Sequence, residues 1–578
     1  MTKLRSITSL GSVLVFAACG SGGSPVTPPT GMAGAGPLMG GVSGSGGKAA
    51  APPESTAGTS TAGSAGAAIG AGGTGGAAVG GSNEGGSNAG GSAGSAGSAG
   101  GGGTGTPDVT LPPLVTSAPG AYWKTSGALA DSTAATANVT INEAATAQKW
   151  DGFGAAFNEL GWSFLSSIEM RQEAMTLLFS ASDGAAFSWG RIPIGASNYA
   201  MSRYTLDDDG SDVAPVADES NRPGADLALT KFSLARDREK LIPYVKAAQA
   251  VKPNLRFWAS PWTPPLWMKT SFRKTDGWTE VKKPSYYDGG SIKSDAATLS
   301  AYALYFEKFV RGYEDQGIDV EVVSAQTEPS FEESYPSCVW DKATYATFVG
   351  HYLGPAMTPL GVEVMLGTLS DWGKDVDLAS AALADSSAKP FFKLVGAQWG
   401  VLEPIKLDAL NANLPIWATE HKGGNYPWNP AGVPPYAHYA PNDQAYAVES
   451  WGYIRDAIGK LKVSTYNAWN MVLDPTGWGI DTSREWAQNA LLVANAGSLT
   501  KTPVYYVFRH LSQYVAPGAT VVGTTGGDAL AFKNPDGSFV AVMFNSGVGN
   551  DHYVLAIGEK KLEFAMPGNG WATVKYKP

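Results

Sequence analysis

Two glutamates hold the chemistry to which this sequence points. Glu328 stands in residues 319–329, DVEVVSAQTEP, where Val320, Val322 and Val323 form an apolar, β-branched run that ends in Gln326, Thr327, Glu328 and Pro329. Such a run reads as a strand buried on both faces, and proline cannot continue a central strand. The carboxylate therefore falls at the carboxyl end of a buried parallel strand, the end at which an α/β barrel assembles its active site. About ninety residues later the pattern returns, because LPIWAT at 414–419 is a short apolar run followed at once by Glu420. Paired strand-end glutamates suit double displacement at a glycosidic bond, with an acid/base carboxyl and a nucleophilic carboxylate about 5–5.5 Å apart. The acid must hold its proton at rest, so its pKa must lie above that of the nucleophile. Spacing alone does not assign the two roles, and either glutamate alone could instead close a salt bridge at a barrel rim.

The elements that must position this pair can be counted along the chain. Strand one covers 152–158 and a helical pattern follows at 164–178; strand two covers 186–197 and a long helix follows at 227–250. Strand three covers 254–262 and its helix 296–313. Strand four carries Glu328, and the next helix starts near Ala343. Strand five starts at Val362, strand six at Pro390, and strand seven carries Glu420. A helix then opens behind Asn442 and Asp443, both good capping residues; strand eight covers 464–474 and a last helix 502–514,. Eight strands alternating with helices predict an α/β fold, a (β/α)8 TIM barrel over 151–514, with strands four and seven meeting across its mouth. After Val515 the period changes to strands joined by turn residues, including Asn534-Pro535-Asp536-Gly537,. Strands at 515–578 need a partner sheet, and 108–150 supplies further short strands. The expected second unit is an attached β-sandwich domain built from the segment before the barrel and the C-terminus.

Composition and the first hundred residues bear on compartment and partners. Of 578 residues, 51 are acidic and 41 basic, giving a net charge of −10, with no basic run; nucleic acid is not an expected partner,. Residues 1–19 read as a secretory signal, with Lys3 and Arg5 before an apolar stretch, and FAAC at 16–19 looks like a bacterial lipobox with Phe16 where leucine is usual,. The expectation is an exported protein, at the bacterial cell surface or outer membrane through a lipidated Cys19, or secreted. Residues 20–107 are Gly, Ala, Ser and Thr with almost no charge, a disordered linker by composition,. Only Cys338 remains besides Cys19, so lipidation would preclude an intramolecular disulfide; Cys338 is read as a buried small side chain,. No later stretch is long and apolar enough to span a bilayer. The five histidines show no metal-ligand spacing, so neither a catalytic metal nor a cofactor is expected, and His421 reads as a rim contact,.

Several longer motifs sharpen this reading. DGFGAAF (151–157), RIPIGAS (191–197), ASPWTPPLWMKT (259–270), the TEP of Glu328, the TE of Glu420 and AWNMVLD (468–474) occur in order. In these the chain from Gln148 onward resembles glycoside hydrolase family 30, the barrel-plus-sandwich family of glucosylceramidases and β-1,6-glucanases. The resemblance implies a retaining glycoside hydrolase with Glu328 as acid/base and Glu420 as nucleophile. It implies an arginine near the nucleophile at Arg191, tryptophans walling the subsite of the cleaved sugar at Trp262 and Trp469, and an orienting Asn470. It also implies a carbohydrate substrate, a polysaccharide or oligosaccharide. A monomer is expected.

Three departures from the family pattern bear on the substrate. The family has asparagine, which bonds the sugar 2-hydroxyl, where this chain has Thr327; it has aspartate, which grips outer hydroxyls, where this chain has Asn198. Strand six ends in Gln398, Trp399 and Gly400 where relatives show a His-x-Tyr pattern, and the absent tyrosine would contact the nucleophile. Thr327, Asn198 and Trp399 are accordingly read as substrate-binding positions that differ from glucosyl-lipid enzymes. Tyr426 and Trp428 are candidate sugar platforms. A β-xylanase or β-galactanase of the same family, or a non-catalytic glycan-binding protein on this scaffold, are the alternatives.

Overall fold

The computed structural model describes residues 110–578 except 126, 209–223, 271–286, 372, 403–409, 411–412, 422–441 and 481–486. The signal, the lipobox and the linker, together with Tyr426 and Trp428, lie outside the described residues.

Eight strands close into a barrel: β1 (Gly152–Ala156), β2 (Trp189–Ile194), β3 (Arg256–Pro261), β4 (Val320–Ser324), β5 (Glu363–Leu369), β6 (Phe392–Gln398), β7 (Ile416–His421) and β8 (Thr465–Asn470). Each pairs in parallel with its sequence neighbours, and β8 pairs with β1 to close the ring. Parallel strands are covered on both faces, which is why these segments read as apolar runs without alternation. Trp189, Trp258, Val322, Met365, Leu394 and Trp417 pack together as one buried cluster drawn from β2 to β7. Side chains fill such a barrel rather than leaving a pore.

Two helical expectations change. The pattern at 164–178 is two helices, Glu159–Phe164 and Ile168–Phe179, each opened by a capping side chain, Asn158 and Ser167. The stretch at 227–250 is helical only from Leu241–Val251, after a 3-10 turn at Asp237–Glu239. Pro243 explains the late start, since a proline fits the first turn of a helix and breaks its interior. Upstream, Asp226 Oδ2 accepts the N–H of Lys231 (2.9 Å) and the hydroxyl of Thr230 (2.8 Å), which closes a local turn instead,. Strand eight ends at Asn470, and Val472–Leu473 pairs separately with Leu492–Asn495. Among the described residues no helix is long and apolar enough to cross a membrane.

The second unit is one ten-stranded sheet drawn from both ends of the described chain. Leu114–Ala118 pairs with Gly570–Tyr576, and Val139–Lys149 lies between Thr520–Thr525 and Asp551–Ile557. Leu114, Val139, Ile141, Phe539, Leu555, Phe564 and Met566 share its core. The sheet is joined to the barrel by continuous packing. Trp150, just before β1, exchanges backbone hydrogen bonds with Gly518 and Ala519, and its ring meets Phe153 of β1 and Phe532 of the sheet at 4.5 and 6.0 Å. His510, on the last helix (Pro503–Ser512), reaches Ser117 and Thr573 on two strands of the sheet, each at 2.8 Å.

Candidate active site

The loop after β4 is fixed at both flanks. Thr327 donates its N–H to Pro261 O at the end of β3 (2.8 Å), and Glu328 donates its own to Thr368 O in β5 (3.1 Å). Between these anchors Glu328 takes a left-handed backbone with φ 51°. A non-glycine residue stays there only when its surroundings hold it, and such residues gather at functional sites. Its half-buried carboxyl accepts from Gln398 Nε2 at Oε1 (2.9 Å) and from the Tyr335 hydroxyl at Oε2 (3.2 Å). Desolvation, reinforced by the negative charges of Glu420 and Glu333, pushes its pKa up to about 8,. At neutral pH this carboxyl therefore keeps its proton.

Glu420 has the opposite surroundings. It is the next-to-last residue of β7 and 6 % exposed. Its Oε2 accepts from Arg191 Nη1 at 2.5 Å, and its Oε1 accepts from the Trp399 indole at 3.2 Å. Arg191, on β2, is fully buried, and its remaining N–H groups donate to Ser260 Oγ (3.2 and 3.1 Å) and Thr327 Oγ1 (2.9 Å). Its guanidinium carbon lies 4.8, 4.3 and 5.3 Å from the ring centroids of Trp258, Trp262 and Trp469. Burial pushes the arginine pKa down and Glu420 opposes that shift; a guanidinium keeps its charge regardless. A fixed cation in contact favours the ionised form of a carboxylate.

These contacts close into a ring. From Glu420 they pass through Arg191 to Thr327, which precedes Glu328. From Glu328 they return through Gln398, whose Oε1 accepts from Thr419 Oγ1 at 3.2 Å, and Thr419 precedes Glu420. Two strands, β5 and β6, separate β4 from β7, and Gln398 at the end of β6 spans that gap.

The remaining positions divide into two groups. Trp262 and Trp469 stack at 5.6 Å with planes 24° apart, in one cluster with Tyr199 and Tyr335 and with Trp399 packed against it. Asn198 Oδ1 and Trp469 Nε1 are buried without a hydrogen-bond partner among the described residues. Buried polar atoms normally find partners, so two unmatched ones beside an aromatic wall suit a hydroxylated ligand. Asn470 and Thr327 are instead engaged within the protein. Asn470 accepts from Asn158 and donates to Gln488, both at 3.3 Å. The Thr327 hydroxyl accepts from Arg191 and donates to Ser260 Oγ at 3.0 Å. His421 Nδ1 lies 2.9 Å from the Tyr466 hydroxyl, and Cys338 is a buried free thiol. Among the described residues no group of three or more His, Cys, Asp or Glu is arranged to hold a metal ion.

Reading the sequence alone does not reveal the contacts of Ser260, Tyr335 and Gln398 with the pair. Gln398 is flagged only as a departure at the end of strand six. Tyr335, seven residues past Glu328 in an irregular loop, carries no periodic signal.

A closed parallel barrel that gathers two glutamates of unlike surroundings at its carboxyl mouth has the layout of a barrel enzyme,. Comparison with known proteins agrees. Residues 150–515 match the glycosyl hydrolase family 30 TIM-barrel domain, and 518–574 match the family 30 beta sandwich domain. The chain is 25% identical over 451 residues to endo-1,6-beta-D-glucanase BGN16.3 of Trichoderma harzianum, covering 72% of this chain and 82% of that one. It is 25% identical over 454 residues to the lysosomal acid glucosylceramidase of Mus musculus, covering 72% and 78%. The solved endo-beta1,6-glucanase BT3312 superimposes with a TM-score of 0.66 at 21% identity, over 80% of this chain and 99% of that one. The chain belongs to glycosyl hydrolase family 30 and is a glycoside hydrolase.

Proposed function

We propose that this glycoside hydrolase is a retaining β-glycosidase that works by double displacement through Glu328 and Glu420. The observation that carries the proposal is the contrast between the two carboxyls, one desolvated and one paired with Arg191. Glu328 gives its proton to the glycosidic oxygen while Glu420 attacks the anomeric carbon; the bond to the leaving oxygen breaks and the aglycone departs as an alcohol. Glu328, now a carboxylate, takes a proton from water as that water displaces Glu420, and the sugar leaves with its β configuration. Both glutamates then stand in their starting protonation states.

The substrate class is a β-glucoside or β-glucan, supported by the names of the fungal and mouse relatives. Trp262 and Trp469 offer apolar faces to a sugar ring, and Asn198 Oδ1 and Trp469 Nε1 offer one acceptor and one donor to hydroxyls,. Within this reading Thr327 serves the sugar through Arg191 and Glu420. An exported, Cys19-anchored location belongs to the same proposal and rests on the FAAC motif. The deciding experiment is hydrolysis of β-glucans and aryl β-glycosides, with proton NMR of the first anomer released. The β-anomer is expected, and the loss of several orders of magnitude in Glu420→Ala with the fold intact. Release of the α-anomer, or near-normal turnover in that variant, sinks the assignment.

A further inference from the structure

The last residue of β6 and its successor both turn to the glutamate pair. Gln398 ends the strand with extended angles, φ −146° and ψ 165°, and Trp399 follows at φ 41° in the left-handed region. Successive side chains of an extended strand point to opposite faces. A bulky residue at positive φ is an outlier that needs compensating contacts. The turn at Trp399 brings both side chains to the barrel mouth. Gln398 Nε2 donates to Glu328 Oε1 at 2.9 Å, and Trp399 Nε1 donates to Glu420 Oε1 at 3.2 Å.

We propose that the carboxyl end of β6 is a two-donor positioning element, in which Gln398 and Trp399 each hold one glutamate by an uncharged N–H, so that Gln398 fixes which oxygen of Glu328 carries the proton. The inference rests on the acid/base reading of Glu328 given above. An amide can face either way, and the neighbours of Gln398 choose the direction. Thr419 Oγ1 lies 3.3 Å from Ala397 O and 3.2 Å from Gln398 Oε1, and its single proton serves one or the other,. In the structure the amide oxygen faces the threonine hydroxyl, and the NH2 faces Glu328. Gln398 is fully buried, so water does not offer its amide an alternative partner,. With Oε1 committed to accepting, the proton of neutral Glu328 resides on Oε2, the oxygen beside the Tyr335 hydroxyl. That is the oxygen from which the leaving group is protonated.

A donor on one oxygen also stabilises the carboxylate form, opposing the desolvation that raises the Glu328 pKa to about 8,. The other titratable and charged groups facing Glu328 are Glu420 from β7, Arg191 from β2, and Glu333 and Tyr335 from its own loop. None of them is altered when Gln398 loses its amide.

The test is a difference-infrared pH titration of the full chain, with the Glu328 carboxyl band identified by its loss in Glu328→Gln. It needs no substrate. Gln398→Met is expected to raise the midpoint of that band by about one pH unit, roughly tenfold in proton affinity. Trp399→Phe is expected to leave the midpoint in place, since its donor serves Glu420. An unchanged midpoint in folded Gln398→Met, or an equal shift in Trp399→Phe, overturns the proposal. Should Gln398→Met not fold, Thr419→Val frees the amide to turn and must raise the midpoint in the same direction. Failure of the glycosidase reading has a separate signature, wild-type protein that turns over no β-glycoside.

Discussion

Replacing Arg191 by methionine isolates the role of the buried cation. The substitution removes a fully buried guanidinium whose Nη1 lies 2.5 Å from Glu420 Oε2. Its other hydrogen-bond partners, Ser260 and Thr327, already bond each other at 3.0 Å and keep that contact. The methionine chain also refills much of the space between the tryptophans. Most of the cost therefore falls on Glu420, left charged and buried without its partner, at roughly 3–5 kcal/mol for a broken buried pair. Glu420 escapes that cost only by taking a proton, which disables it as a nucleophile. A loss of about 3 kcal/mol in transition-state stabilisation is about a hundredfold in kcat/KM. The assay is a double-mutant cycle of Arg191→Met and Glu420→Gln, read by equilibrium urea unfolding. With the charge of Glu420 already removed, Arg191→Met should cost about 2 kcal/mol less than it does in the wild type. If the two single costs add to within about 0.5 kcal/mol, the pair is not coupled and the account of Glu420 as a cation-held carboxylate is wrong.

Two further outcomes follow from protonation. A Glu328 pKa raised to about 8 means that the general acid is present at neutral pH and lost above it, so kcat/KM should fall as pH rises through about 8,; an alkaline limb already complete at pH 6 would contradict this. In Glu328→Ala that limb should vanish, with azide restoring turnover of activated aryl glycosides. His510 is neutral in the fold, because burial pushes its pKa down to about 3 from an ordinary 6.5. Thr573 gives its own proton to His510 O (3.0 Å), so its hydroxyl must accept from Nδ1–H, while Nε2 accepts from Ser117. A depressed pKa gives stability that is complete above pH 6.5 and is lost as pH falls towards 3. By pH 5 the loss is about 2 kcal/mol at roughly 1.4 kcal/mol per unit. His510→Gln should show a shallower fall of the urea midpoint between pH 7 and pH 5 than the wild type; equal slopes would rule His510 out as the acid-sensitive group.

The barrel was legible because strands covered on both faces are largely apolar, so β2 (WGRIPI) and β4 (VEVVS) stand out without any knowledge of their neighbours,. The same logic located Glu328 and Glu420, since polar residues at the end of such a run have nowhere to go but the barrel mouth. Boundaries were less legible. The pattern at 227–250 looked helical throughout, but the turn held by Asp226 and the position of Pro243 confine the helix to Leu241–Val251. Strand seven carries Glu420 as expected, whereas Glu328, expected on strand four, lies in the loop after β4 ends at Ser324.

The sequence by itself therefore indicated the barrel strands, their order and two candidate glutamates, which depend on local composition and spacing, while its longer motifs carried the resemblance to the family. Only the tertiary structure decided how the two glutamates differ. Both are glutamates at the barrel mouth, one in the loop after β4 and one within β7, and what separates them is the partners that barrel closure delivers. Arg191 comes from β2 to one, and Gln398 from β6 and Tyr335 from the loop after β4 come to the other. Proton affinity depends on burial and on the charges within a few ångströms, and those are properties of three-dimensional neighbours rather than of chain position.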